Sequence, residues 1–375
     1  MSAFVQSRQR SRYLSLLQIV GALGVIAVHV GVPYSNPIWF FVEIFFVIAG
    51  INMTKALDGG QPLYAYAFSR VRRLGPEIAA IWIATVVLVV SGEGSPGMLW
   101  FILASPVFVQ NLMLIFFRYT MPNDWAFAPL WFVGALLQLQ LLLFVMRKVL
   151  LRAKPEVLVF ACAGIGTLIR LLVAVLSGED LQGLSVPTAS ILYCLPLTHL
   201  EPLVLGVLIG RGALPRIGRL LPFFCVVTLG LGAVNVALSG GEVTRRSLGF
   251  PFLLQLNYAY VWGYSILALT AASLCSRNGR LAVVAERLAL PGWADSMLFK
   301  LASLTYGAYA FHGLVMATGI NAAMPLAWSH APKLELLLFV ITAVESFLIA
   351  WGFDLMVRGF KEHRWMPAPG SVRTA

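Results

Sequence analysis

Long apolar runs alternate with short polar links along the whole chain. The runs fall near 14–33, 38–57, 76–91, 98–117, 129–146, 156–176, 189–210, 220–239, 248–275, 301–322 and 334–357, most of them close to the roughly 20 residues a helix needs to cross a bilayer. The pattern predicts an all-α, polytopic membrane protein. The links differ in charge: Arg70 to Arg73, Arg147 to Lys154, Arg211 to Arg219, Arg277 to Arg287 and Arg358 to Arg364 are basic, whereas 177–185 (SGEDLQGLS) is acidic or neutral. Basic loops stay on the cytoplasmic side, and the basic links can share that side only if one run fails to cross. The weakest is 98–117, broken by Pro106, carrying Gln110 and Asn111, and followed by RYTMPNDW. It is expected to be a re-entrant or peripheral piece on the outer face. About ten transmembrane helices follow, with both termini cytoplasmic, in a single domain over 1–375 with a basic flank at 1–12 and a cytoplasmic tail at 358–375. Arg245 and Arg246 then lie outside, and the charge rule gives no account of them.

Composition narrows the class further. Hydrophobic residues make up 59% and charged residues 11%, with a mean hydropathy of +0.84, far from a soluble domain, in which about a quarter of residues are charged. The net charge of +11 lies in the links between apolar runs. It therefore reports orientation in a lipid bilayer and not a nucleic-acid partner. Cys162, Cys194, Cys225 and Cys275 sit in different apolar runs without paired spacing, so they read as packing residues, and no metal site is expected. The first apolar run is long enough to span and has no small-residue cleavage site behind it, which reads as an anchor and not as a removable signal.

Ionisable side chains inside apolar runs are expensive and therefore candidate functional groups. His29, Glu43 and His312 are such groups. Gln18 and His29 are eleven residues apart on the first run, which is three helical turns plus about 20°, so they share a face with ~16 Å between them. Gly21, Ala22 and Val25 lie on the same stripe, which suits either close helix packing or a slot for a thin ligand. Glu43 sits at a similar depth on the second run. A histidine and a carboxylate at matched depth on neighbouring helices can form an oriented base, or merely a hydrogen bond that joins two helices.

Five blocks, in order, resemble the membrane acyltransferase-3 family, of the bacterial polysaccharide O-acetyltransferase type. LLQIVGALGVIAVHVG resembles its opening helix, with His29 matching and Gln18 standing where the family has Arg. VEIFFVIAGINM is similar to its acidic-then-aromatic block at Glu43, Phe45, Phe46 and Gly50, with Ala49 where Ser is usual. FSRVRRLGPEIAAIW matches a basic cytoplasmic motif at Arg70, Arg73 and Pro76. PLWFVGALLQLQLLL matches at Leu130, Trp131 and Phe132, and LTYGAYAFHGLVM at Tyr306, Tyr309 and His312. A family Glu beyond the Leu-Trp-Phe block is replaced here by Leu136 and Leu137, with Gln138 the nearest polar group.

The resemblance implies a ten-helix bundle in the bacterial inner membrane that transfers an acyl group, commonly acetyl from acetyl-coenzyme A, to a hydroxyl of an exopolysaccharide or other surface glycan. Acyl-coenzyme A would be a donor substrate with no permanently bound cofactor, and polysaccharide assembly proteins are candidate partners. In that picture His29 and Glu43 are catalytic. Arg70, Arg73 and Gln18 bind the coenzyme, Arg72 is an anchor, and Trp131, Tyr309 and His312 bind the acceptor. Each has a plainer alternative: the arginines as positive-inside anchors, Trp131 in the interfacial aromatic belt, and Tyr309 with His312 as a packing pair. His199 and Glu201, between Pro196 and Pro202, stay outside the expected site. Two other functions are open, namely transport of a glycan or small amphiphile and a catalytically silent role in a polysaccharide assembly complex.

Overall fold

The computed structural model describes residues 11–92, 96–116, 128–238, 254–316 and 332–363. Among these the fold is helical, with one isolated bridge between Gly183 and Leu256. The expected all-α fold is thus met, and each predicted apolar run contains helix. In chain order the α-helices are α1 (Arg12–Val30), α2 (Phe41–Asp58), α3 (Leu63–Val90), α4 (Pro96–Ala104), α5 (Gln110–Phe116), α6 (Trp131–Val145), α7 (Arg147–Arg152) and α8 (Pro155–Leu176). There follow α9 (Val186–Cys194), α10 (Leu200–Gly210), α11 (Leu221–Leu238), α12 (Ala259–Cys275), α13 (Arg280–Arg287), α14 (Gly292–Val315) and α15 (Pro332–His363).

By length and hydropathy, seven of the described helical segments can cross a membrane, or eight if the bent pair Val186–Cys194 and Pro196–Gly210 counts as one. The charge pattern alone led to ten. Part of the difference is α6, which is apolar but has 15 residues, about 22 Å of helix against a ~30 Å hydrocarbon layer. Another part is α14, whose first turns carry Asp295 and Lys300. Arg245 and Arg246 lie outside the described residues.

Two local features decide the packing. The first is the close approach of α2 and α10. A Cβ at Gly50 would strike the Leu203 carbonyl and the Gly206 Cα, the latter at 2.9 Å, and one at Gly206 would strike the Val47 backbone. Small residues at such a seam let two backbones meet, as membrane helices require in the absence of a hydrophobic drive between them. The second is the broken segment at 98–117. It divides into α4 and α5 around Pro106, with Phe108 in the left-handed region at φ 58°. The polar residues that marked it as weak pin it down: Gln110 donates to the Leu130 carbonyl at 3.1 Å, and Asn111 and Gln138 exchange hydrogen bonds of 2.9 and 3.2 Å. Gly134 makes room, since a Cβ there would lie 2.6 Å from Asn111 Oδ1.

The basic links meet one another. Arg12 pairs with Asp295 at 2.5 Å and donates to the Leu288 carbonyl at 2.7 Å, while Lys300 and Arg358 both pair with Asp354, at 2.6 and 2.7 Å. Arg211 donates to the carbonyls of Leu150 and Leu151, satisfying orphan acceptors at the end of α7. These contacts join α1, α13, α14 and α15 in one set and α7 with α10 in another.

Candidate functional site

The small-residue stripe of α1 faces α2, and α2 fills it. A Cβ on Gly24 would come 2.5 Å from Phe41 and 2.6 Å from Ile38, and one on Gly21 would come 3.0 Å from Phe45. Ala22 and Val25 are buried as well. Of the two readings of the stripe, helix packing is the one formed, and a slot there is closed by aromatic rings. Gln18 lies half-buried below it.

This packing places Glu43. Residues two apart on a helix are about 200° apart, so Phe41 and Phe45, turned to α1, leave Glu43 on the far face of α2. There its Oε1 lies 2.8 Å from His199 Nδ1. The expected pairing of Glu43 with His29 is therefore not formed. His29 Nδ1 instead lies 2.7 Å from His312 Nε2, with the two rings nearly parallel at 6°.

Hydrogen-bond logic fixes the protons of this dyad. His312 Nδ1 is 2.5 Å from the Tyr309 carbonyl oxygen, which only accepts. That nitrogen carries the hydrogen, so Nε2 of neutral His312 is an acceptor. His29 Nδ1–H then donates to it, which leaves the lone pair of neutral His29 on Nε2. The Tyr309 hydroxyl donates to the Pro129 carbonyl, and its ring centre is 5.6 Å from that of His312. His312 is completely buried and His29 half-buried. An imidazole with a fixed tautomer and one free basic nitrogen can act as a general base or as a nucleophile. The orienting role expected of a carboxylate is held here by a second imidazole.

The other predicted residues separate into two further places. Trp131 is buried against Tyr193 and His199, with ring centres 4.5 and 5.3 Å away. It lines the Glu43 centre, its ring enclosed by these neighbours. The basic motif lines an open cleft of about 430 Å³ formed by Ser69, Arg72, Arg73, Pro76, Glu77, Phe353, Asp354 and Val357. Its α3 contributions recur every three or four residues, as one helix face must. Arg70 is on a neighbouring face, its guanidinium carbon 5.2 Å from the centre of the Tyr66 ring. Arg72, expected only to anchor, thus faces the cleft beside Arg73, and Arg70 does not.

Two ionisable residues outside the expected site, His199 and Glu201, belong to the Glu43 centre. His199, fully buried, bridges Glu43 and the Tyr193 carbonyl, with its Nε2 2.8 Å from the latter. Glu201 pairs at 3.7 Å with Arg170, which is also fully buried. Arg170 was not singled out at all. The signal for it was present, since a lone arginine in the run 156–176 is as expensive as His29. Gly166 opens the space for this pair, a Cβ there lying 3.1 Å from Arg170 Nη1.

A comparison with protein-family models matches residues 11–355 to one described as an acyltransferase domain, that of the acyltransferase-3 family. Comparisons with curated proteins and with solved structures return no match. The matched span takes in the His29–His312 dyad, the Glu43 centre and all of the arginine cleft except Val357, within a multi-pass bundle of apolar helices. The chain belongs to the acyltransferase-3 family of membrane acyltransferases.

Proposed function

We propose that this chain transfers an acyl group, in the simplest case acetyl, from acyl-coenzyme A to a hydroxyl of an exopolysaccharide or other surface glycan, and does so in the bacterial inner membrane. The observation that carries this reading is the fixed tautomer of His29, which leaves Nε2 as a base within the bundle. In the direct route, His29 Nε2 takes the proton of the acceptor hydroxyl as its oxygen attacks the thioester carbonyl. The carbon–sulfur bond breaks, and the thiolate recovers the proton from His29. His312 keeps its hydrogen bond to Nδ1 throughout and disperses the imidazolium charge. In the two-step route Nε2 attacks the thioester carbonyl and the carbon–sulfur bond breaks to release the thiolate; the acceptor oxygen then attacks the acyl-imidazole, the carbon–nitrogen bond breaks, and the hydroxyl proton passes by way of the freed Nε2 to the thiolate.

Coenzyme phosphates fit the cleft of Arg72 and Arg73 through charge-assisted hydrogen bonds. The pantetheine arm has no path along the filled stripe of α1. A route beside α14 suits it better, because Tyr306 on that helix donates to the Leu74 carbonyl next to the cleft and His312 lies about 9 Å further along by helical rise. The test is radiolabelled acetyl transfer in membranes from cells making His29→Ala protein. Transfer is expected to vanish, and near-normal transfer at equal protein level rejects the reading.

One observation favours a second reading, transport. The α9–α10 pair bends by 68° with His199 and Glu201 beside the break, and broken helices with polar groups at the break mark binding sites in secondary transporters. Liposomes separate the two: solute flux without an acyl donor supports transport, and thioester-dependent product supports transfer.

A further inference from the structure

The buried centre on the far side of α2 holds four ionisable groups, three of them on helices and one on the turn before α10: Glu43 on α2, Arg170 on α8, Glu201 on α10 and His199 just ahead of α10. Its protons can be counted from geometry. His199 Nε2 faces the Tyr193 carbonyl oxygen at 2.8 Å, so it bears a hydrogen. His199 Nδ1 faces Glu43 Oε1, also at 2.8 Å. A bare ring nitrogen and a carboxylate oxygen would meet there with two lone pairs and repel. A proton therefore lies between them, whether it is written on the imidazole or on the carboxyl. The pair carries one proton beyond the sum of a neutral imidazole and a carboxylate, and is neutral overall.

The neighbours require the same balance. Arg170 and Glu201 cancel, with Ser265 donating to Glu201 at 2.8 Å and Arg170 donating to Thr167, Ser265 and the Val261 carbonyl. Tyr193 and Tyr264 also face the cluster, with Cys194 beside them, and all three are neutral in their ordinary protonation states. With its proton the quartet sums to zero. Without it, a net negative charge sits among apolar helices, with Glu43 and Glu201 repelling each other.

The quartet also reaches the dyad mechanically. It lies on the face of α2 turned to α10 and α12, while Phe41 and Phe45 on the opposite face fill Gly24 and Gly21 of α1, the helix that carries His29. Where the quartet holds α2, α2 holds α1. We propose that Glu43 and His199 form a proton-loaded lock, and that His199 is a positioning residue for acyl transfer that acts through Glu43 and α2 and gives activity an alkaline limb. The activity part rests on the acyl-transfer reading above, and the proton part does not.

Two measurements on the full chain in lipid nanodiscs test it. The first labels the five histidines with nitrogen-15 and subtracts the spectrum of His199→Gln protein, while infrared difference spectra compare the wild type with Glu43→Gln. If the single variants fail to fold, the double variant Glu43→Gln/His199→Gln, which replaces the pair by neutral amides, serves for both subtractions. At neutral pH the expected result is either an imidazolium at His199 or a protonated carboxyl band lost with Glu43. A neutral imidazole with no such band overturns the lock, whatever the chain catalyses. The second follows consumption of acetyl-coenzyme A against pH. The wild type is expected to lose activity on the alkaline side and the double variant to keep its acidic limb but lack the alkaline one. An unchanged alkaline limb in the double variant removes His199 from positioning.

Discussion

The two faces of α2 are built from the same kinds of residue to opposite ends. On one face His29 and His312 make a chain of imidazoles that carries no charge when both are neutral and ends in a free nitrogen at a half-buried position. On the other, Glu43, His199, Arg170 and Glu201 make a cluster of ionisable groups whose charges cancel, enclosed by Trp39, Trp131, Tyr193 and Tyr264. A catalytic base must accept a proton, so it is left unpaired at one atom. A charged cluster in a bilayer must neutralise itself, so its members face one another. Ionisable residues in a membrane segment thus mark two different things, and the pairing tells them apart.

The contrast predicts different phenotypes. Replacing His312 by Phe removes the acceptor that orients His29, and transfer should fall by a general-base factor, about 10²–10⁴-fold, with little change in unfolding temperature. His312→Gln, whose carbonyl can accept from His29 Nδ1–H, should recover part of that loss. The check is acetyl transfer measured beside thermal unfolding of the same preparations. If His312→Phe unfolds the protein and leaves the rate per folded molecule unchanged, the dyad is a structural joint like the quartet, and the comparison fails.

The quartet should behave in the reverse way. Arg170→Met leaves Glu201 buried without its cation, which in buried pairs costs about 3–5 kcal/mol. The Arg170→Met/Glu201→Leu double variant should regain most of it, because a well-packed apolar pair can replace a buried ion pair at little loss. Denaturation of the purified proteins in one detergent gives the cycle. Equal losses in the single and double variants would mean that the two side chains do not act as a pair.

Between the two faces stands the packing of α1 on α2. Gly24→Leu forces a side chain into space held by Phe41 and Ile38, an overpacking worth about 1–3 kcal/mol. Because α1 carries His29, the rate should fall further than stability does. A variant with normal stability and normal rate would show that α1 can shift without moving the base.

Much of this was legible in the sequence, and the part that was not has a physical cause. Apolar runs and the break at Pro106 announced the helices, since a bilayer imposes length and hydropathy on each span, whereas the bend that divides the run 189–210 emerged only in the fold. His29, Glu43 and His312 were found because charge in such a run is expensive. Their partners were not, because depth along a helix is readable from residue number whereas the neighbouring helix is a matter of tertiary packing. Glu43 illustrates this. Its depth matched that of His29, but the glycines at 21 and 24 already called for bulky residues opposite. Phe41 and Phe45 meet that need only by turning Glu43 away. Arg170 carried the same signal as His29, a costly charge within an apolar run, but its partner Glu201 lies on another helix and is a matter of tertiary packing.

The smallest expected effects lie at the basic cleft, where three arginines nearly adjacent in sequence separate by helix face. Arg72 and Arg73 line the cleft, and Arg70 covers the Tyr66 ring. A charge-assisted hydrogen bond to phosphate is worth enough to raise the KM for acetyl-coenzyme A roughly tenfold when it is lost, with kcat little changed because the contact is the same in ground and transition states. Arg72→Gln and Arg73→Gln should each show that pattern. Arg70→Gln should leave KM unchanged, since it removes a cation stacked on an aromatic face and no phosphate ligand. The spacing of conformable arginines alone favoured Arg70 with Arg73. Steady-state kinetics on the three variants distinguish the two assignments, and a raised KM for Arg70→Gln with none for Arg72→Gln would return the coenzyme to the face that sequence spacing indicated.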